Sequence, residues 1–203
     1  MKTQKKLAAG ILPIAKNTGR ILLGRRSLFD ASFPNHWSLF GGTFEDSDGT
    51  PKETAKREFK EETKCTYDYS ISKKPIDVRM NNHINYYTYI GIFDNEFVPY
   101  VNGLDEHSKE HQDYGWFELE QMPETLVDGL KETFLFKKNE IQDIINKIKI
   151  VWINVNDKMP DTESYYKVKF DDGTEDEKYF RNRPQKNIYG FMSEKNVIEW
   201  RKI

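Results

Sequence analysis

A chain of 203 residues with 31 Lys and Arg against 33 Asp and Glu has a formal charge of -2, which excludes a global basic field for nucleic acid and a polybasic tail for membranes. Aromatic residues at 14% mark a folded chain, and double-stranded nucleic acid is not an expected partner. No apolar run approaches the roughly 20 residues that cross a bilayer. The opening MKTQKKLAAGILPIAK is broken too soon by Pro13 to read as a signal peptide, and the one cysteine, Cys65, cannot form an internal disulfide, so a cytoplasmic location is expected.

KLAAGILPIA and RILLGRR, separated by the turn composition KNTG, predict an antiparallel hairpin. HWSLFGG is a third strand-like run, closed by Gly41 and Gly42. Thr50 as cap, Pro51 at the first helical position and Glu53 three residues after the cap then start a helix that runs to about Lys64. Residues 83–93, HINYYTYIGIF, read as a strand covered on both faces, with Tyr86 on one side and Tyr87 and Tyr89 on the other. YGWFEL is a further strand. Two helices follow, one after Pro123 and one over residues 139–148, where Ile141, Ile144, Ile145 and Ile148 recur at helical spacing as core. After about residue 150 the texture shifts to short strand-like pieces, YKVKF, EDEKYF and VIEWRKI, with DDGT as a hairpin turn. The expected organisation is one domain over residues 1–150 and a small β-rich domain over 151–203.

The first helix carries the chemistry. Glu58, Glu61 and Glu62 stand at i, i+3 and i+4, so their carboxylates emerge on one face. Two like charges about 4 Å apart repel by roughly 1 kcal/mol in water, and by several-fold more when partly buried, unless a divalent cation lies between them. Magnesium, which takes hard oxygen ligands, suits such a face. Arg57 is bracketed by Glu53 and Glu61 at four residues either way. Taken alone, the run also reads as a solvated Lys and Glu surface with Ala55 and Phe59 turned to the core; the preceding WSLFGG shifts the balance toward a site.

Gly42, Arg57, Glu58, Phe59, Glu61 and Glu62 resemble the Nudix box, G-x5-E-x7-R-E-U-x-E-E-x-G-U with U apolar. The resemblance implies an α/β/α sandwich with a mixed sheet. It implies a Mg²⁺- or Mn²⁺-dependent pyrophosphohydrolase that cleaves a nucleoside diphosphate linked to another moiety, such as ADP-ribose, NADH or coenzyme A, without a covalent intermediate. Glu58, Glu61, Glu62 and the Gly42 carbonyl are then the implied metal ligands and Arg57 their orienting residue. Glu106 or Glu110 is the implied general base, from a loop outside the box. The chain departs from the pattern in three places: Asp48 replaces the first glutamate, the loop is one residue longer, and Lys64 and Cys65 replace the closing glycine and apolar residue. A catalytically inactive, nucleotide-binding regulatory module is the alternative. A homodimer is compatible with either.

His107, Glu110 and His111 also match the H-x-x-E-H pattern of one zinc peptidase class. That site needs both histidines on one stable helix, and Gly103 and Gly115 leave room only for a short one, so the segment is read as a polar loop bearing an auxiliary acid. In the C-terminal part Trp152, Val155, Asp157, Pro160 and Trp200 resemble a short domain of uncharacterised function frequent in phage and prophage proteins. There Trp152 and Trp200 are expected to meet in a small core, with Asp157 capping a turn before Pro160. A phage origin would place the protein in the host cytoplasm.

Overall fold

In the computed structural model, which describes residues 5–81, 83–103, 105, 107, 109–149, 153–183, 188–193 and 195–203, the leading apolar runs form the expected hairpin. Strand β1 (Lys6–Ala15) lies antiparallel to β2 (Ile21–Arg26), with Ile14 opposite Ile21. HWSLFGG forms two short strands, because Leu39 is where the chain leaves one partner for another: β3 (Trp37–Ser38) pairs with β2, and β4 (Phe40–Thr43) pairs with β1. After α1 (Pro51–Thr63) come β5 (Ser70–Ile71), β6 (Asp77–Met80), β7 (Ile84–Phe93) and β8 (His111–Phe117), followed by α2 (Asp128–Ile148). The short and half-polar β5 and β6 carry no apolar periodicity that the sequence reading could detect.

Strand β7 runs parallel to β1 in unbroken register from Lys6 opposite Ile84 to Ala15 opposite Phe93, while the other pairings of this sheet are antiparallel. The side-chain period of two sends Ala9 and Ile11 of β1 to one face, where they pack with Phe40, Ala55 and Phe59 beneath α1. It sends Leu12 and Ile14 to the other face, against Leu130, Phe134 and Ile141 of α2. The result is the expected α/β/α sandwich around a mixed sheet. Phe59 is fully buried, and truncating it to alanine would cost about 3–5 kcal/mol. Tyr86 packs on the α2 side and Tyr87 and Tyr89 on the α1 side, as alternation requires.

One continuous α2 replaces the two helices expected. Neither glycine nor proline interrupts residues 130–148, and Leu130, Phe134, Ile141 and Ile145 keep one buried stripe throughout. At the start of α1, Thr50 Oγ1 accepts from the Glu53 amide at 3.3 Å and Pro51 sits in the first turn. The helix stops at Lys64, whose φ of 51° is left-handed and whose amide donates to Lys60 O at 2.9 Å. A lysine therefore supplies the stop that usually falls to glycine. Among the described residues no helix is long and apolar enough to cross a membrane.

The chain divides into two compact units, Met1–Lys149 and Ile150–Ile203. The second is an antiparallel sheet ordered β12-β11-β10-β13-β9, from β9 (Ile153–Asn154), β10 (Ser164–Phe170), β11 (Glu175–Arg183), β12 (Ile188–Phe191) and β13 (Val197–Lys202). DDGT turns β10 into β11, with Gly173 at φ 81°. Trp200 is buried against Tyr166, ring centroids 5.1 Å apart, and its Nε1 donates to Lys158 O at 2.6 Å. Trp152 lies outside the described residues. The turn before Pro160 is held by Asn154, whose Oδ1 accepts from the Asn156 amide at 2.9 Å, rather than by the side chain of Asp157.

Candidate active site

The site is built where β4 passes α1. Gly41 and Gly42 bring bare backbone against the helix. The Gly41 amide donates to Glu62 Oε2 at 2.9 Å, and a Cβ placed on Gly42 would meet the Glu58 carboxyl carbon at 2.5 Å. Any larger residue at position 42 would displace Glu58, which is the local reason for a glycine there.

Arg57 organises the loop before the helix. A short 3-10 turn at Asp46–Asp48 returns the Asp48 carboxylate toward the Glu45 amide, 2.9 Å from Oδ2. The buried Asp48 then takes both Nε and Nη2 of Arg57, at 2.8 and 2.9 Å. This fork is the strong, planar form of an arginine–carboxylate pair. It holds the Asp48 carboxyl well below the usual carboxylate range and raises Arg57 above its ordinary value. The shorter acid and the extra loop residue thus still deliver a carboxylate to the arginine. Arg57 also donates to Glu61 Oε2 and to Thr43 O, each at 2.9 Å, and lies 3.0 Å from Glu58 Oε1. Glu53, expected as a second partner of Arg57, is engaged instead by the Thr50 hydroxyl at 2.8 Å.

The three helix carboxylates have different fates. Glu61 is turned to Arg57. Glu58 is mostly buried, and its pKa is raised by desolvation, with the charges of Glu61 and Glu110 adding to the shift and Arg57 opposing it. Glu62 is 2% exposed, and its pKa is raised further by the same burial together with the negative charges of Glu110 and Glu58. Glu110 is exposed on the loop before β8, within electrostatic reach of both. Glu106 lies outside the described residues.

The two histidines occupy no common helix, which removes the geometric basis of the H-x-x-E-H reading. His107 is half exposed in the loop, 3.9 Å from Glu61 Oε2, whereas His111 opens β8 and is buried. His111 Nε2 meets Ser38 Oγ at 3.1 Å, and its Nδ1 lies 3.9 Å from Glu62 Oε2 with no hydrogen-bond partner among the described residues. Desolvation, helped by the charge of Arg26, lowers its pKa to about 3, so the ring is neutral. No sequence signal pointed to this Ser38–His111–Glu62 contact, because its members come from three separate elements. Among the described residues no group of three or more His, Cys, Asp or Glu side chains is drawn close enough to form a finished metal cage. The donor chemistry nonetheless fits a hard divalent cation: Glu58 is mostly and Glu62 fully buried, the charge of Glu58 helps raise the pKa of Glu62, and a cation beside them would relieve that repulsion.

Beside Gly41 a cavity of about 410 Å³ opens between the sheet and the first turn of α2, lined among others by Arg26, Arg79, Tyr86 and Gly129.

A family model described as the NUDIX domain matches residues 4–136. Solved structures share the fold. A Nudix hydrolase, RenU, from M. smegmatis aligns at TM-score 0.52 and 18% identity over 71% of this chain and 88% of its own. A MutT/nudix family protein from Enterococcus faecalis aligns at TM-score 0.57 and 14% identity over 77% and 72%. The NUDIX domain of Shewanella oneidensis NrtR, complexed with ADP ribose, aligns at TM-score 0.51 and 17% identity over 68% and 90%. No curated protein matches the chain.

Proposed function

The chain belongs to the Nudix family of hydrolases, whose model covers residues 4–136, and from that premise we propose that it hydrolyses the pyrophosphate bond of a nucleoside diphosphate linked to another moiety in a Mg²⁺- or Mn²⁺-dependent reaction. The observation that carries this reading is Glu62, a carboxylate buried beside two further acids and held in place by the Gly41 amide. A carboxylate kept in that position without a cation is costly, and a solvated helix face would not bury it.

In this reading Glu58 and Glu62 hold the divalent ion, with Glu61 and the Gly42 carbonyl as further ligands. When bound, the ion neutralises the anhydride oxygens and acidifies water. The protein's own residues supply placement. Gly41 N–H fixes Glu62 Oε2, and the Asp48–Arg57 fork locks the loop to α1 and orients Glu58 and Glu61. Glu110, or Glu106, accepts the proton of the attacking water, the water oxygen bonds to phosphorus, and the anhydride oxygen leaves with its phosphate.

The unit of function is residues 1–150, with 151–203 an appendage whose phage-like resemblance points to no chemistry. A panel of ADP-ribose, NADH and coenzyme A, assayed for release of AMP or another nucleoside phosphate with Mg²⁺, with Mn²⁺ and with chelator, tests the reaction. Metal-dependent release is expected, and the 1–150 fragment should retain it. Binding without turnover across the panel would instead favour the regulatory module.

A further inference from the structure

Strand β8 opens with a buried polar residue to which the reaction above gives no task. His111 is 1% exposed, and three other strands hold its ring. Phe40 of β4 packs on it, ring centroids 4.6 Å apart. Gly24 of β2 lies against its edge, where a Cβ would meet Cδ2 at 2.4 Å, so the bare backbone there makes room for the imidazole. Ser38 Oγ of β3 meets Nε2 at 3.1 Å. What these neighbours leave is Nδ1, a buried atom with no hydrogen-bond partner among the described residues, 3.9 Å from Glu62 Oε2. Arg26 and Asp30, whose charges also reach the ring, are paired with one another.

The tautomer follows from these neighbours. A neutral imidazole carries one proton, on Nδ1 or on Nε2. With the proton on Nε2, a lone pair on Nδ1 would face the carboxylate of an ionised Glu62. With the proton on Nδ1, the ring presents a donor to that carboxylate, and the Ser38 hydroxyl, which donates as readily as it accepts, donates to Nε2. The separation of 3.9 Å exceeds a hydrogen bond, and a shift of about 1 Å closes it. A cation supplies the reason to close, because it keeps Glu62 ionised and an ionised carboxylate is the stronger acceptor.

We propose that His111 is a positioning residue for the metal-dependent reaction, donating its Nδ1 proton to Glu62 so that Oε2 is held by the imidazole as well as by the Gly41 amide when the cation is bound. The assignment rests on the hydrolase reading for the cation and adds to it the group that orients the most deeply buried acid. Hydrogen-bond donors behind a metal-bound carboxylate fix its orientation, and their loss typically weakens metal binding about 10- to 100-fold.

The test is calorimetric titration of Mn²⁺, without substrate, into wild type, His111→Asn and His111→Gln, with melting in chelator read on each. The asparagine amide reaches the place of Nδ1, whereas the glutamine amide reaches that of Nε2. His111→Gln is expected to bind Mn²⁺ about tenfold or more weakly than wild type, and His111→Asn within about threefold of it, whatever either substitution does to melting. Equal losses in the two variants would mark a merely structural role and overturn the assignment, as would undiminished affinity in His111→Gln. Nitrogen-15 NMR of the wild-type imidazoles needs no variant: the proton of His111 is expected on Nδ1, with its resonance moving downfield on adding Mg²⁺, and a proton on Nε2 in the Mg²⁺-loaded protein would overturn the assignment even if neither variant folds. Wild type that binds no Mn²⁺ would sink the metal-dependent hydrolase reading and this inference with it; wild type that binds Mn²⁺, with His111→Gln binding equally well, would sink the inference alone.

Discussion

The chain contains two dense acidic segments that behave in opposite ways. Residues 171–177, DDGTEDE, are all exposed, and lysines neutralise several of them: Lys195 lies 2.7 Å from Asp172, Lys178 2.6 Å from Asp176 and Lys167 3.5 Å from Glu177. Hydrogen bonds from Lys195 and Lys178 lower the pKa values of Asp172 and Asp176. On α1 the signs reverse, because burial and like charge raise Glu58 and Glu62. Acid density is therefore no guide to a site. What separates the two segments is the glycine backbone at 41 and 42, which lets Glu62 sink beside Glu58 with the Gly41 amide, rather than a lysine, as its hydrogen-bond donor.

The comparison breaks most severely at Arg57. Replacing it with alanine strands the buried Asp48 and removes the tie between loop and helix, at a cost of about 2–4 kcal/mol after allowing for its partial exposure. Turnover should fall with it. Urea unfolding that shows a loss under about 1 kcal/mol would mean the fork behaves like the surface pairs of the second unit.

A smaller, pH-dependent effect sharpens the contrast. Glu58 and Glu62 have folded pKa values above their unfolded ones, so in chelator they favour folding at low pH, and that stability is lost as pH rises toward the folded values. His111 acts oppositely: its folded pKa of about 3 lies below its ordinary 6.5, so its contribution is lost as pH falls below 6.5. Above about pH 6.5 only the carboxylate effect remains. In chelator any change of stability with pH above about 6.5 should therefore be a fall, of no more than about 1.4 kcal/mol per pH unit for each proton, and Mg²⁺ should flatten it. A rising slope in chelator would contradict the burial of Glu62.

Much of this arrangement was legible from local sequence. The helix start at Thr50 and Pro51, the shared face of Glu58, Glu61 and Glu62, and the two-sided strand ending at Phe93 all follow from spacing and capping. The structure adds what depends on distant partners. Asp48 became the partner of Arg57 only through a 3-10 turn, and His111 met Ser38 and Glu62 only because β3, β8 and α1 converge. Arg79 lies in a short strand whose place beside α2 is set by pairing with β7. The two expected helices merge into one because Leu130, Phe134, Ile141 and Ile145 form one buried stripe that no glycine or proline interrupts.

At the other end of the scale, Asp172→Asn should leave melting and turnover unchanged, because water replaces the lost ion pair in an exposed turn. A loss of activity there, measured beside wild type, would give the second acidic segment a role that its exposure does not suggest.

The central claim, that buried carboxylates of α1 are placed for a cation, is tested most directly by Glu62→Gln, with turnover at saturating Mg²⁺ and melting in chelator read on the same preparation. The substitution keeps size and removes one charge. The account predicts a loss of about a hundredfold or more in turnover, roughly 2.7 kcal/mol of transition-state stabilisation, with melting in chelator no lower than wild type and a smaller rise on adding Mg²⁺. Wild-type turnover together with an unchanged Mg²⁺ response would contradict it.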